Sequence, residues 1–191
     1  YKNLKGKVVV AASTTPRVVK LAEKWGLDHD TVKVGFKYIA GQMVNEDVLI
    51  GGEESGGIAI KGHIPERDGI WMGLVIFEYM AKSGKSLETL IEEIYDLVGE
   101  FKYWRDDLHL KEALKQSIVE KCNSGEYTSF GEYKVQYVDT TDGYKFVLSD
   151  DEWLMIRPSG TEPVLRCYAE AKDLESAKSI LAACKKTIGV A

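Results

Sequence analysis

An apolar run from Lys7 to Ala12 is followed by turn residues and then by a helical repeat, and this order constrains the fold more than any other feature. The run is typical of a strand buried on both faces. Pro16 suits a first helical turn, with a hydroxyl residue before it as the cap. The stretch after it carries apolar residues three or four positions apart, namely Val18, Leu21, Ala22 and Trp25.

Strand signals return after this helix. Thr31 to Ile39 is typical of a short strand followed by a loop, and a further strand ends at the Gly51-Gly52 pair. Strands that alternate with a helix predict an α/β layer domain with a mixed sheet and flanking helices.

Two helices complete the first half. Asp68 is a candidate cap for an apolar helix from about Ile70 to Lys82, and Ser86 is a candidate cap for a helix from Leu87 to about Val98. The segment 99–109 carries mixed charge and breaks the helical pattern. We therefore expect a first domain over 1–98 and a linker over 99–109.

The second half carries strand signals separated by hairpin-type turns, at Thr141–Gly143 and at Asp150 and Asp151. A helix is expected from Leu110 to Cys122 and another from about Leu174 to Ile188. Together with strands, they predict a small α+β domain over 110–191, with a four-stranded antiparallel sheet and helices. The four strands are expected at Tyr133–Val138, Tyr144–Leu148, Glu152–Ile156 and Val164–Ala169.

Composition excludes several classes of protein. Apolar residues make up 45% and charged residues 29% of the 191-residue chain, which excludes a disordered or fibrous protein. The net charge of −5 argues against nucleic acid as a partner. The longest apolar run, Ile70 to Phe77, is far shorter than the roughly 20 residues of a membrane span, so no membrane partner is expected. Three cysteines without CxxC spacing indicate a reducing compartment, and hence a cytoplasmic protein.

The segment from Arg157 to Pro163, with Arg166 beyond it, is the strongest candidate for chemistry. It joins two predicted strands and contains two hydroxyl residues, one glycine and arginine forks that fit phosphate oxygens. Successive amides in such a turn can also bind an anion. A hairpin in which Glu162 pairs with an arginine explains the same residues.

Three other segments are weaker candidates. The glycine-rich loop Gly51–Gly57 places two acids beside Ser55, which suits a polyol, although a flexible loop with solvated acids fits as well. Lys37 lies between aromatic residues and could hold a phosphate, or it could be a surface lysine. His63 and Arg67 precede a helix start, where anions are favoured, but a lone histidine is usually structural.

Two further patterns have simpler explanations. Ser13, Thr14 and Thr15 follow a strand but lack an obvious neighbouring base, so helix capping explains them better than a nucleophilic serine. Several aspartates fit turns rather than a metal site, so no metal ligand is expected in this chain. These aspartates are Asp139, Asp142, Asp150 and Asp151.

The motifs together resemble the C-terminal part of the α-D-phosphohexomutases, the phosphoglucomutase/phosphomannomutase family. The resemblance covers essentially the whole chain, as the third and fourth domains of the family. Val34–Lys37 resembles its specificity loop, Gly52–Gly56 with Arg67–Gly69 its sugar-recognition loop, and Arg157–Pro163 with Arg166 its phosphate-binding loop.

The resemblance implies a role for each residue. Glu53 and Ser55 would bind two sugar hydroxyls, Lys37 and His63 would line the substrate site, and Arg67 would have an electrostatic role, since an arginine is a poor general base. No catalytic residue is otherwise assigned to this chain. The non-reacting phosphate of the substrate would contact Arg157, Ser159, Gly160, Thr161 and Arg166.

The resemblance also implies partners and cofactors. Family members interconvert hexose 1-phosphates and 6-phosphates through a phosphoserine and a bisphosphate such as glucose 1,6-bisphosphate, with Mg²⁺. The serine and metal loops have no counterpart here, so we expect missing N-terminal domains and an inactive fragment. Gly57 stands where many mannose-preferring members have histidine, and the Glu-Glu-Ser sequence favours glucose. A stand-alone sugar-phosphate-binding module and a glucosamine or acetylglucosamine phosphate mutase remain alternatives.

Overall fold

The computed structural model describes residues 2–159 and 163–190, which form two compact units, Tyr1–Gly99 and Glu100–Ala191. The first unit is an α/β domain and the second a small domain with an antiparallel sheet. The elements of the first unit are β1 (Lys7–Ala11), α1 (Arg17–Lys24), β2 (His29–Val32), α2 (Phe36–Asn45), β3 (Val48–Gly52), β4 (Ile58–Ile60), α3 (Gly69–Ser83) and α4 (Leu87–Val98).

The sheet of the first unit has the strand order β2-β1-β3-β4. Strands β1, β2 and β3 are parallel, and β4 is antiparallel to β3, which confirms the predicted mixed sheet. Successive side chains of a strand point to opposite faces. Val9 therefore packs into the cluster that contains Phe36 and Ile39 of α2, whereas Val8 and Val10 pack with Ala22 of α1. Burial on both faces explains the continuous apolar run.

Helix α2 corrects the prediction for Thr31–Ile39, where a strand and loop were expected. The strand ends at Val32, and the helix begins after Gly35. The φ of Gly35 is 131°, a backbone conformation that favours glycine because it has no Cβ atom. From Phe36 onward, residues that face the core recur at helical spacing, namely Phe36, Ile39, Ala40 and Met43. The β-branched and aromatic residues of this stretch favour a strand by propensity. The segment is a helix because its apolar residues pack against the sheet at helical spacing.

The predicted caps of α3 and α4 are confirmed. Asp68 Oδ1 accepts hydrogen bonds from the amides of Ile70 and Trp71, and Ser86 Oγ accepts one from Thr89. Within the described residues, no helix is both long enough and apolar enough to cross a membrane.

The second unit has a five-stranded antiparallel sheet with the order β5-β11-β10-β9-β8, rather than the expected four strands. Helix α6 packs against β11 and β5, and a separate hairpin pairs β6 with β7. The elements are β5 (Lys102–His109), α5 (Glu112–Ser124), β6 (Ser129–Phe130), β7 (Tyr133–Lys134), β8 (Tyr137–Asp139), β9 (Tyr144–Val147), β10 (Trp153–Pro158), β11 (Val164–Ala171) and α6 (Leu174–Ile188).

The segment 99–109 is not a linker over most of its length, because β5 occupies Lys102–His109 and pairs with all eight residues of β11. An edge strand has one neighbouring strand and carries polar residues toward solvent. The exposed side of β5 therefore carries charged residues of both signs, and this mixed charge led to the prediction of a linker. Similarly, the expected strand Tyr133–Val138 divides into β7 and β8, which belong to different sheets.

Candidate functional site

Three loops of the first unit leave the sheet at the same edge. Strands β1, β2 and β3 are parallel, so their carboxyl ends lie together, and ligands of open α/β sheets bind at this edge. The segments that follow these strands contain Ser13, Val34–Lys37, which runs from the loop into the first turn of α2, and Glu53–Gly57. The sequence motifs assigned to sugar recognition are thus brought to one place by the sheet topology.

Glu53 and Arg67 form the central pair of this edge. Glu53 Oε2 lies 3.2 Å from Arg67 Nη1, and the Glu53 side chain is only 7% exposed, against 53% for Arg67. The guanidinium carbon also lies 5.4 Å from the centre of the Phe36 ring. A buried carboxylate and a half-exposed arginine therefore stand together where a polar ligand has access.

Gly57 allows this pair to form. A Cβ atom at residue 57 would lie 2.5 Å from Arg67 Cδ and 3.3 Å from Glu53 Oε2. The loop is closed by its own backbone, since the Glu53 amide donates to the Gly57 carbonyl at 3.0 Å. The absence of a side chain at 57 leaves the volume that the arginine stem occupies.

Ser13 contacts the same loop, a contact that the sequence interpretation missed. Its side chain is fully buried, and its Oγ donates to Glu54 Oε2 at 2.6 Å. Helix capping does not explain Ser13, because Thr15 Oγ1 accepts the bond from the Arg17 amide. Ser13 and Glu54 are 41 residues apart, so no local pattern pairs them. Their contact follows only from the sheet topology, which brings both loops to one edge.

The other predicted residues of the first unit have different surroundings. Lys37 is exposed in the first turn of α2, with its Nζ 4.9 Å from the Tyr38 ring centre, and Ser55 is exposed at the loop tip. His63 contacts the residues at the start of α3. Its Nε2 lies 2.9 Å from Asp68 Oδ2, and its ring stacks on Trp71. The Trp71 amide and the His63 ring together lower the pKa of Asp68.

In the second unit, Arg157 and Arg166 are directly opposite each other on β10 and β11. Residues at such positions point to the same face of a sheet. Arg157 Nε donates to Asp142 Oδ2 at 2.8 Å, a contact that turn chemistry alone did not predict. Two arginines predicted to bind phosphate are therefore placed on one face.

Ser159 and Lys115 define the base of the predicted phosphate loop. Ser159 is 7% exposed, and its amide donates to the Val164 carbonyl at 2.9 Å. Lys115 of α5, which no sequence motif indicated, lies 3.4 Å from the Ser159 carbonyl and 3.2 Å from Glu112 Oε2. The predicted ligands Gly160 and Thr161 lie outside the described residues, as does Glu162.

Within the described residues 2–159 and 163–190, no group of three or more His, Cys, Asp or Glu side chains could hold a metal ion. Asp139 accepts bonds from the amide and hydroxyl of Thr141, as its turn position predicts. The donor set of a magnesium site is therefore not present in these segments of the chain.

An α/β domain followed by a small antiparallel domain is also what comparison with known families finds. Residues 1–98 match the model for "Phosphoglucomutase/phosphomannomutase, alpha/beta/alpha domain III", and residues 110–186 match that for "Phosphoglucomutase/phosphomannomutase, C-terminal domain". The chain belongs to the phosphoglucomutase/phosphomannomutase family. Members of this family are phosphohexomutases, which are intramolecular phosphotransferases, and the chain corresponds to their C-terminal portion.

Individual relatives agree with this assignment. The chain is 33% identical to a phosphoglucomutase/phosphomannomutase of Thermococcus kodakarensis over 92% of its length, and 30% identical to a phosphoglucosamine/phosphogalactosamine mutase of Sulfurisphaera tokodaii over 95%. A putative phosphomannomutase of Thermus thermophilus is structurally similar, with a TM-score of 0.78 and 30% identity over 98% of the chain. The chain spans 36%, 38% and 37% of these three proteins.

Proposed function

We propose that this chain is the sugar- and phosphate-binding C-terminal portion of a phosphohexomutase that interconverts hexose 1-phosphate and hexose 6-phosphate, with glucose preferred over mannose. The observation that carries the proposal is the Glu53–Arg67 pair at the carboxyl edge of the parallel strands. This pair offers an acceptor and a charged donor to a polyol in the loop that the family motif predicts.

In this proposal, Glu53 and Ser55 bind two sugar hydroxyls. A carboxylate accepts from hydroxyl groups, and a serine both donates and accepts. Arg67 stays protonated and contributes charge rather than proton transfer, and Lys37 lines the substrate site. His63 acts through Asp68 and the start of α3, which it contacts, so its role in substrate binding is indirect.

The phosphate that does not react is bound by Arg157, Arg166 and Ser159, together with Gly160 and Thr161. Arginine forks match phosphate oxygens bidentately. Binding energy at this remote group orients the sugar for phosphoryl transfer elsewhere on the substrate. The sugar residues belong to the α/β domain, and the phosphate residues to the domain that begins with β5.

In this proposal, transfer itself depends on groups outside the described residues of this chain. We propose that the phosphoserine and Mg²⁺ belong to N-terminal domains of a longer polypeptide, and that glucose 1,6-bisphosphate is the intermediate. The described residues of this chain do not fit a metal site, so no step through magnesium is assigned to them. The three free cysteines are buried, which suits a reducing compartment and a cytoplasmic enzyme.

An amino-sugar phosphate is the second candidate substrate. The observation in its favour is that relatives at 30% identity are named for glucosamine phosphates in Sulfurisphaera tokodaii and Methanobrevibacter smithii. Glucose and glucosamine differ at the 2-position. Glu53 and Ser55, which are proposed to bind two other hydroxyls, would not distinguish them.

The proposal is tested by titrating the chain with glucose 1-phosphate, mannose 1-phosphate and glucosamine 1-phosphate while following amide NMR shifts. We expect shifts at Glu53–Gly57 and near Ser159, tightest binding of glucose 1-phosphate, and loss in Arg157→Ala but not in the exposed control Lys134→Ala. Tighter binding of glucosamine 1-phosphate would favour the second candidate. Saturable shifts at other residues would refute the site.

A coupled enzyme assay tests whether this chain lacks the groups that transfer the phosphoryl group. We expect the isolated chain to show no mutase turnover with Mg²⁺ and glucose 1,6-bisphosphate. Substantial metal-dependent turnover by the pure chain would contradict the assignment of the phosphoserine and the metal to other domains.

A further inference from the structure

We propose that Asp142 is a positioning residue, which holds the Arg157 guanidinium in the orientation that binds a phosphate group. The inference rests on the proposed binding of phosphate by Arg157. It adds a residue that the phosphate-loop motif does not contain, from the turn between β8 and β9.

The contact between the two side chains is specific. Arg157 Nε donates to Asp142 Oδ2 at 2.8 Å, and each side chain is only 19% exposed. A guanidinium is planar and carries five N–H donors in a fixed arrangement. A bond at Nε therefore fixes the plane of the group and leaves the donors of the two Nη atoms for an anion.

Gly143 brings the backbone of the turn between β8 and β9 into close contact with Arg157. Its φ is +74°, and a Cβ atom at this residue would lie 2.8 Å from the Ile156 carbonyl oxygen and 3.2 Å from both Arg157 Cα and Cβ. The backbone of the turn thus packs directly on the backbone of β10. This close approach sets the position of Asp142 relative to Arg157 independently of the ion pair.

The arginine also borders open space. A depression of about 410 Å³ is lined by Asp142, Gly143, Tyr144 and Arg157, with Asn123 at its side. Tyr144 donates its hydroxyl proton to Asn123 Oδ1 at 2.7 Å, and both residues line the depression. Arg157 therefore lies at the edge of an open depression and is not enclosed.

Two effects of Asp142 on an anion have opposite signs. Its negative charge repels phosphate, so removal of the carboxylate would tighten binding if charge alone mattered. Its bond to Nε removes rotamer freedom from the arginine before the anion arrives, so binding of the anion has less side-chain ordering left to cause. The inference is that the ordering effect is the larger one.

The experiment is an NMR titration of the 191-residue chain with glucose 1-phosphate in four variants. Asp142→Ala is expected to raise the dissociation constant about threefold, because the lost ordering of the arginine outweighs the repulsion that is removed with the carboxylate. Asp142→Asn keeps an acceptor oxygen and is expected to stay within about twofold of the unmodified chain. The matched control Asp151→Ala changes an exposed aspartate in the turn between β9 and β10, and no change is expected. Arg157→Ala is expected to abolish the shifts.

A second readout reports the orientation directly. The Nε–H signal of Arg157 is expected in the spectrum of the unmodified chain and of Asp142→Asn, and to exchange away with solvent in Asp142→Ala. Core amide shifts in the same spectra show that the fold is retained. If Asp142→Ala does not fold, Asp142→Ser removes the carboxylate with a smaller loss of polarity and is held to the same expectation.

The outcomes separate the two proposals. Equal binding by the unmodified chain and by Arg157→Ala, or no binding by either, overturns the proposed phosphate site and this inference with it. Binding that is lost in Arg157→Ala but unchanged or tightened in Asp142→Ala overturns the positioning role alone.

Discussion

At the scale of single residues, Gly57 matters because of what an added methyl group would displace. Its ideal Cβ position lies 2.5 Å from Arg67 Cδ, and the arginine is half exposed and able to move. We expect Gly57→Ala to break the Glu53–Arg67 contact while changing the free energy of unfolding by less than about 1 kcal/mol. A crystal structure of the variant, with glucose 1-phosphate affinity measured alongside, checks this prediction.

Gly69→Ala is the matched control for that variant, because an ideal Cβ at residue 69 has no heavy atom within 4 Å. It should leave the arginine and the affinity unchanged. An unaltered Glu53–Arg67 distance in Gly57→Ala would show that the loop, rather than the arginine, yields to the methyl group.

Ser13 gives a second prediction at this scale. Ser13→Ala leaves Glu54 without the hydroxyl that donates to it, and an unsatisfied part-buried acceptor costs about 1–3 kcal/mol. Urea denaturation is expected to show a loss in this range. Ser83→Ala, which removes a hydroxyl that bonds within its own helix, should change stability by less than about 0.5 kcal/mol.

A double-mutant cycle isolates the contact between Ser13 and Glu54. The change Glu54→Gln should cost less in the Ser13→Ala background than in the unmodified chain. Additive effects of the two substitutions would mean that the bond contributes nothing to stability.

At the scale of elements, the packing of β3 on α2 depends on Gly51. A Cβ atom there would lie 2.2 Å from Ile39 Cγ2, and Ile39 is fully buried. Overpacking of this kind typically costs about 1–3 kcal/mol, so we expect Gly51→Ala to lower the free energy of unfolding by that amount. Thermal or urea denaturation followed by circular dichroism measures it.

The contrasting substitution is Gly73→Ala in α3. No heavy atom lies within 4 Å of its Cβ position, and alanine is favoured over glycine inside a helix by about 1 kcal/mol. This variant should be more stable than the unmodified chain. Equal effects of the two glycine substitutions would argue against the described contact between β3 and α2.

At the scale of the whole molecule, buried thiols make stability depend on pH. Burial raises the pKa of Cys122 to about 12, and the contact with Cys167 together with burial raises that of Cys184. An exposed thiol has a pKa of about 8.5. As the pH rises above about 9, the unfolded chain loses these protons while the folded chain keeps them, so the free energy of unfolding falls.

This prediction is measured by urea denaturation between pH 8 and pH 11. Lys145, whose pKa burial lowers to about 8, acts in the opposite direction up to about pH 10. The comparison is therefore between the unmodified chain and Cys122→Ala, whose stability should fall less steeply with pH. Equal slopes would mean that the Cys122 thiol is not protected by the fold.

Most elements of this chain were predictable because their cause is local. Helix α6 was predicted with the bounds that it has, and Asp68 and Ser86 cap helices as their side chains allow. Helix α2 and strand β5 were not predicted, because their state depends on neighbours. The first packs on a sheet, and the second pairs along β11.

The same distinction between local and long-range causes applies to the candidate site. The amino-acid sequence by itself determined the family, the mixed and antiparallel sheets and the residue types of the loops proposed to bind sugar and phosphate, since motif and periodicity are properties of neighbouring residues. Only the tertiary structure decided that Arg67 contacts Glu53, that Ser13 contacts Glu54, and that Arg157 contacts Asp142. These contacts join residues 14, 41 and 15 positions apart, and strand order and turn geometry set their distances.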